Sequence, residues 1–268
     1  MPTGISGGGR EELTRALGRG RRFLTVEVVA EELGLDRSDA AYRLARWNRQ
    51  GWLRRVRRGL YVPVPVDAEN PRAWSEDPLV LAAEVWGPCY FTGWTAANHW
   101  SLTDQVFRTT VVKTTGSVRA SKARLLDHDY LLTHVSEGDI DWGMARLWIG
   151  ERRVLMADPA RSVIDILDDP RLGGGIRLGA EILAAYLGAN DGALLIDYGD
   201  RLGNRAVFKR MGYLLTAHDR GESEIIAACR SRVSAGISAL DPSGPAGGRY
   251  VSAWGLRLNV NVGPEDAS

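Results

Sequence analysis

Cysteine is almost absent from this chain: Cys89 and Cys229 are the only two in 268 residues. That excludes a disulfide-rich secreted scaffold. Two thiols set far apart in apolar stretches read as buried and reduced, with one bridge between them as the alternative. Lysine is scarcer than its usual share, with three against thirty-one arginines. No apolar run reaches the roughly 18–20 residues of a membrane span. The opening MPTGISGGGR has no hydrophobic segment of the signal-peptide kind, so residues 1–10 read as a disordered leader and the chain as cytoplasmic. Charge of one sign is missing from the total, which is only +1.

The small total hides a local excess. Residues 1–66 hold thirteen arginines against seven acids, about +6, so the remaining 202 residues sum to about −5. Eight of those arginines lie between Asp36 and Arg58: Arg37, Arg43, Arg46, Arg49, Arg54, Arg55, Arg57 and Arg58. After Asp36 the only acid there is Asp39. A strongly positive element on a nearly neutral body suits phosphate binding, and arginine supplies bidentate forks for guanine edges as well.

Local patterning gives this stretch a form. A first helix is expected over Glu11–Leu17, ended by Gly18 and Gly20. A second follows Thr25 as N-cap and runs through Val28, Val29 and Leu33 to Gly34. Asp36 caps a third that reaches Gln50 and stops at Gly51, with Ala40, Leu44 and Trp47 on one buried face. Two β-prone runs, 52–56 and 60–63, flank Arg57-Arg58-Gly59 as a hairpin. Helix, helix-turn-helix and hairpin is the order of a winged helix-turn-helix, placed at 11–66. In such a fold the start of the second helix of the pair enters the major groove. Arg37, Ser38, Tyr42, Arg43 and Arg46 would then reach bases and nearby phosphates, with Arg49 beside them, and Arg54, Arg55, Arg57 and Arg58 would lie on the flanking backbone. The bland alternative is a solvated charged face. It is disfavoured by the lack of acids for i,i+4 pairing and by the continuation of charge onto the hairpin. Contact with roughly five to seven phosphates would give a slope of log K on log salt near −5 to −6.

Residues 67–77 read as a linker, 78–260 as a larger mixed α/β domain with a helical C-terminal half, and 261–268 as a tail. The fold class is therefore α+β. Strands are expected at Tyr90-Phe91, 107–113, 125–135, 145–149, 153–156 and 250–260. Helices are expected at 78–86, 94–100, 159–167, 176–187, 193–202, 206–215 and 224–233. Candidate chemistry in this part is thin. His99 among apolar neighbours reads as a structural histidine, and His128 and His134 share a strand face without metal-site spacing. His218 has no assigned role. Asp158-Pro159 is a cap with a first-turn proline, and Asp168-Asp169-Pro170 is a helix exit; with Asp165 they lack the complement of a nuclease. Gly173-Gly174-Gly175 departs from the phosphate-loop pattern and reads as a flexible connector. Trp74, Trp86, Trp94, Trp100, Trp142 and Trp148 are expected in the larger core. No catalytic, cofactor or metal site is assigned.

Several ordered motifs are similar to one family. The run Trp52-Leu53-Arg54-Arg55-Val56-Arg57-Arg58-Gly59-Leu60-Tyr61 resembles the wing of AbiEi-type antitoxins. Tyr90 to Gln105 resembles the opening of that family's C-terminal domain, and Ala157 to Asp165 its "a-d-P-e-r-t-l-l-D" helix, with Ala160 in place of the usual acid. Arg210-Met211-Gly212-Tyr213-Leu214-Leu215 and Trp254-Gly255-Leu256-Arg257-Leu258-Asn259 extend the likeness over about residues 11–260. The resemblance implies a type IV toxin–antitoxin, or abortive-infection, system. Its antitoxin represses its own operon through promoter inverted repeats in double-stranded DNA. It opposes a nucleotidyltransferase-like toxin without stable direct contact. The resemblance supplies no catalytic residue, and the chain is expected to be no enzyme, with no cofactor and no membrane partner. Two other readings stay open: a ligand-responsive winged-helix regulator, and an enzyme acting on nucleic acid through the C-terminal domain.

Overall fold

The structure is a computed structural model that describes residues 7–18, 20–218 and 223–262. Within them it is a mixed α and β protein with ten α-helices and three sheets. The chain divides into two compact units, Met1–Leu81 with Arg124–Asp129, and Ala82–Ala123 with Tyr130–Ser268.

In the first unit, α1 (Gly7–Leu17), α2 (Val26–Leu33) and α3 (Arg37–Arg49) are followed by a hairpin of β2 (Leu53–Arg57) and β3 (Leu60–Pro63). Helix α1 begins four residues before the expected Glu11, inside the stretch read as a leader; residues 1–6 of that leader lie outside the described residues. The caps are those the sequence indicates. Thr25 Oγ1 accepts from the Val28 amide at 3.3 Å, Asp36 Oδ1 from the Asp39 amide at 2.8 Å, and Gly34 closes α2 in the left-handed region. Leu13, Ala16, Leu24, Val29, Ala40, Leu44, Trp47, Leu53 and Tyr61 form one core, with Trp47 its largest member. The sheet has a third strand that periodicity cannot show. β1 (Leu24–Thr25) is two residues long and pairs with β3, Leu24 opposite Tyr61, giving the order β1-β3-β2.

The second unit holds most of a six-stranded sheet of order β6-β7-β5-β4-β9-β8: β4 (Cys89–Phe91), β5 (Thr109–Thr114), β6 (Lys122–Leu125), β7 (His128–His134), β8 (Met144–Ile149) and β9 (Arg152–Ala157), with residues 124–129 at the β6–β7 turn counted in the first. Helices α4 (Pro78–Trp86) and α5 (Gly93–His99) interleave with these strands. Then α6 (Pro159–Asp168), α7 (Ile176–Ala189), α8 (Ala193–Leu202), α9 (Ala206–Ala217) and α10 (Ser223–Arg230) follow. Helix α6 is the hub, buried from Ala160 to Leu167 and packed by α5, α7, α8 and α9. Its start is capped by Asp158 Oδ1 on the Arg161 amide at 2.7 Å, and its end by buried Arg210 of α9, whose Nη1 donates to the carbonyls of Leu167 and Asp168 at 2.6 and 2.9 Å. A small sheet of β10 (Ser238–Ala239), β11 (Arg249–Val251) and β12 (Leu256–Leu258), in the order β10-β12-β11, closes the unit. It seats the buried Trp254 ring against Gly212, where any side chain would meet that ring at 2.2 Å.

Several expectations are corrected. The single strand read over 125–135 is a hairpin, with Leu126 at a positive φ of 51° in its turn where no glycine signals one. The last strand, 250–260, is broken into β11 and β12 by a turn that buries Trp254. The glycine run at 173–175 is an ordered turn. Pro170–Gly173 is a 3-10 helix, Gly174 is left-handed, and Asp241 Oδ2 accepts from the Ile176 amide at 2.9 Å. That carboxylate occupies the start of α7 where a phosphate would have to sit. His99, read as a structural histidine, is exposed and lies edge-on to Trp100. Trp148 is 65% exposed on an outer strand, whereas Trp142 is buried.

Candidate nucleic-acid interface

The start of α3 and the β2–β3 hairpin converge. A groove of about 810 Å³ lies between them, lined by Arg37 and Ala41 of α3, by Arg55, Arg57 and Arg58 of the hairpin, and by Glu27 of α2. The hairpin presents its arginines through a β-bulge. Arg55 pairs with Tyr61 and Arg57 with Leu60, so the register slips at Val56. An unbroken strand would alternate faces. Arg55 and Arg57 are exposed on either side of the buried Val56, and the pairing register shifts between them. Gly59 follows with φ of 79°, a conformation few other residues adopt, and so makes the tight return possible.

The ten sequence-predicted residues divide into those that face solvent and those that are held. Arg37, Ser38, Tyr42, Arg46 and Arg49 are exposed on α3, as are Arg55, Arg57 and Arg58 on the hairpin. Tyr42 is 61% exposed, with the Arg49 guanidinium 6.0 Å from its ring centre. The Ser38 hydroxyl donates to Asp36 Oδ1 at 2.7 Å. Arg43 is half-buried and ion-paired to Glu12 of α1. Arg54 is turned away from the groove, its side chain only 19% exposed. It donates to the Trp74 carbonyl and to Asp127 Oδ2, the latter at 2.9 Å. Residues 67–77, which composition marks as a linker, thus contribute bonding partners inside the first unit. Glu76 there is buried beside Arg22, and its carbonyl meets His128 Nε2 at 3.1 Å.

One residue of the groove was not singled out in the sequence. Glu27 Oε1 lies 2.7 Å from Arg37 Nη2, both side chains well exposed. Hydrogen bonds from its own amide and from Thr25, together with Arg37, hold its carboxyl below the ordinary range. The pair joins two helices across a turn, so no i,i+4 spacing reveals it. A carboxylate on a groove arginine occupies the place a phosphate oxygen would take.

A second charged cluster lies in the other unit, in its interior. Asp165 is fully buried. It is met by Lys113 Nζ and Arg161 Nε, each at 3.0 Å, and by the hydroxyls of Thr92 and Tyr90 at 2.7 and 3.1 Å. Burial acts to raise its pKa, but the two cations and the Thr92 hydroxyl outweigh that and hold the carboxyl below its usual range. The Arg161 guanidinium lies over Trp142, 3.4 Å from the ring centre. The i,i+4 spacing of Arg161 and Asp165 is legible in the sequence; Lys113, from a distant strand, is not. Among the described residues no group of three or more His, Cys, Asp or Glu is arranged to hold a metal ion, and no helix is long and apolar enough to cross a membrane.

Residues 11–64 match the family described as "Transcriptional regulator, AbiEi antitoxin". Across 95% of this chain and 92% of the other, the fold is similar to the crystal structure of the RV2827C protein from Mycobacterium tuberculosis, with a TM-score of 0.64 at 14% identity. At that identity the likeness concerns the fold alone. No curated protein matches the chain.

Proposed function

We propose, from the match of residues 11–64 to the family of AbiEi antitoxin transcriptional regulators, that the chain is a DNA-binding antitoxin that autoregulates its own operon. In this reading the first unit is a winged helix-turn-helix. α2 and α3 form the helix pair, and the β2–β3 hairpin is the wing. Helix α3 enters the major groove with Arg37, Ser38, Tyr42 and Arg46 toward base edges and Arg49 toward the backbone. Arg55, Arg57 and Arg58 lie along the flanking phosphates. Arg43 and Arg54 act as positioning residues, one fastening α3 to α1 and the other fastening β2 beneath the hairpin. The observation that carries the reading is the groove itself, where four guanidinium groups from two elements border one cavity with a single carboxylate among them.

The partner is double-stranded promoter DNA with inverted repeats. The functional counterpart is a nucleotidyltransferase-like toxin opposed without stable contact, and no catalysis is assigned to the chain. The test is fluorescence anisotropy with the DNA upstream of the chain's own gene. We expect sequence-selective binding that weakens steeply with salt, and loss of roughly 1–3 kcal/mol on Arg46→Ala, with relaxed selectivity. Equal affinity for this DNA and for unrelated duplex at moderate salt would remove the regulator reading.

A further inference from the structure

We infer that Glu27 aims Arg37 at one guanine of the promoter, so that this cation–carboxylate pair selects a G·C base pair in the major groove. The inference rests on the reading of the first unit as the DNA-binding part, and deepens it by naming a base. Guanidinium groups that grip phosphates need no fixed direction, because phosphate oxygens carry no sequence information. A base contact does need one. Among the described residues, Arg37 is the one exposed arginine of α3 and the hairpin with a carboxylate on it. It is also the first residue of α3, at the end of the helix that enters the major groove in a helix-turn-helix.

The carboxylate is itself held. Glu27 stands in the first turn of α2, where the helix start favours a negative charge. Its own amide and the Thr25 hydroxyl donate to it, and Thr25 Oγ1 accepts from the Val28 amide at 3.3 Å as the helix cap. Glu27 Oε1 then meets Arg37 Nη2 at 2.7 Å. A chain of contacts thus runs from the cap of one helix to the first side chain of the next, and all three residues border the groove except for the cap's amide. A guanidinium has five N–H donors, so one bond to a carboxylate leaves a parallel pair for a second partner. Guanine offers two acceptors side by side, N7 and O6, whereas adenine sets the N6 donor beside its N7 and would bring donor against donor. The cytosine of the same pair donates from N4, which suits a carboxylate close by. Holding the fork in place before binding also lowers the cost of ordering it.

The test selects binders from a randomised duplex pool with the full chain, and repeats the selection with Glu27→Gln, Arg37→Ala and Arg37→Lys. The natural protein should prefer guanine at one position of the selected site by about tenfold, the scale of one bidentate contact. Arg37→Ala and Arg37→Lys should lose the preference at that position alone, since lysine keeps the charge but not the fork. Glu27→Gln should lose most of it too, yet bind unrelated duplex more tightly because a negative charge has left the groove. Placing 7-deazaguanine there removes the N7 acceptor. It should weaken the natural protein several-fold, on the order of half a bidentate contact, and Arg37→Ala hardly at all. An exposed ion pair adds little to stability, so melting temperatures should not move, and a merely structural pair would not alter base preference. Full guanine preference retained in Glu27→Gln overturns the inference, as does a preference for another base at the position that Arg37→Ala relaxes. Either result leaves the promoter-binding proposal standing. Failure of the natural protein to select any sequence overturns that proposal and this inference with it.

Discussion

Arg54 and Arg57 sit three positions apart in one strand, both read from the sequence as backbone contacts, yet they have opposite surroundings. Arg57 faces solvent, whereas Arg54 is enclosed by the Trp74 carbonyl and Asp127. Replacing Arg57 and Arg58 together by Ala should weaken DNA binding almost equally across sequences and make the salt slope shallower by about 2, checked by titration at several ionic strengths. Arg54→Ala should leave the slope unchanged and lower the melting temperature, because it strips a part-buried pair of its cation. The charge excess was legible in the sequence, but the partner of each arginine was not. Asp127, Glu12 and Glu27 are remote or lie on other elements, and a charge pattern carries no information about such contacts.

Asp165 makes a similar point in the other unit. It is the one carboxylate between Lys113 and Arg161, so Asp165→Asn leaves two buried cations without their counter-charge. We expect a loss of about 3–5 kcal/mol in urea unfolding. The folded pKa is depressed, so the unfolded chain takes up the proton first as pH falls. The stabilisation is complete above the ordinary aspartate value of about 4 and disappears as pH drops below it toward the folded value. In Asp165→Asn that part of the acid sensitivity should vanish, which a pH series of melts would show.

At the scale of elements, the termini of helices were the best-resolved part of the sequence reading. Thr25, Asp36 and Asp158 each cap as their position suggests, because a cap is a local event that needs only its own three following residues. Asp158→Ala should cost about 1 kcal/mol for the cap. It should cost somewhat more in total, since Asp158 Oδ2 also accepts from the Tyr198 hydroxyl at 2.9 Å; thermal melting would register it. Strand ends were read less well. β1 is too short to show a period, the β6–β7 turn is made at Leu126 without glycine or proline, and the β11–β12 turn is fixed by burial of a tryptophan. In each case a distant contact decides the conformation. The bulge at Val56 belongs with these. The register shift between Arg55 and Arg57 is a matter of pairing with β3, which alternation along β2 does not announce.

For the whole molecule, the segregation of charge sets the expected response to salt. Six arginines, at 37, 46, 49, 55, 57 and 58, are exposed on the two groove elements. Neutralising a phosphate with each implies a slope near about −5, at the shallow end of the range that the sequence alone allows. A slope near zero, with binding still present, would mean that something other than the guanidinium face holds the nucleic acid. The compact body that follows is net negative, so it adds nothing to this term and would steer duplex away from itself. Its fold was only partly legible. The order of helices and most strands could be read from periodicity, but neither the six-strand order nor the buried Asp165 cluster leaves a local trace.

The first unit is interrupted in sequence, its last six residues, 124–129, arriving after more than forty residues that belong elsewhere. During synthesis the N-terminal helices can form as soon as they emerge, but Arg54 has no Asp127 and Glu76 no His128 until translation has passed position 129. A nascent chain halted before that point would carry the complete groove on an unfinished support. Fragments cut near residue 66 should therefore be easier to unfold, and more readily digested by protease, than the same helices in the released protein.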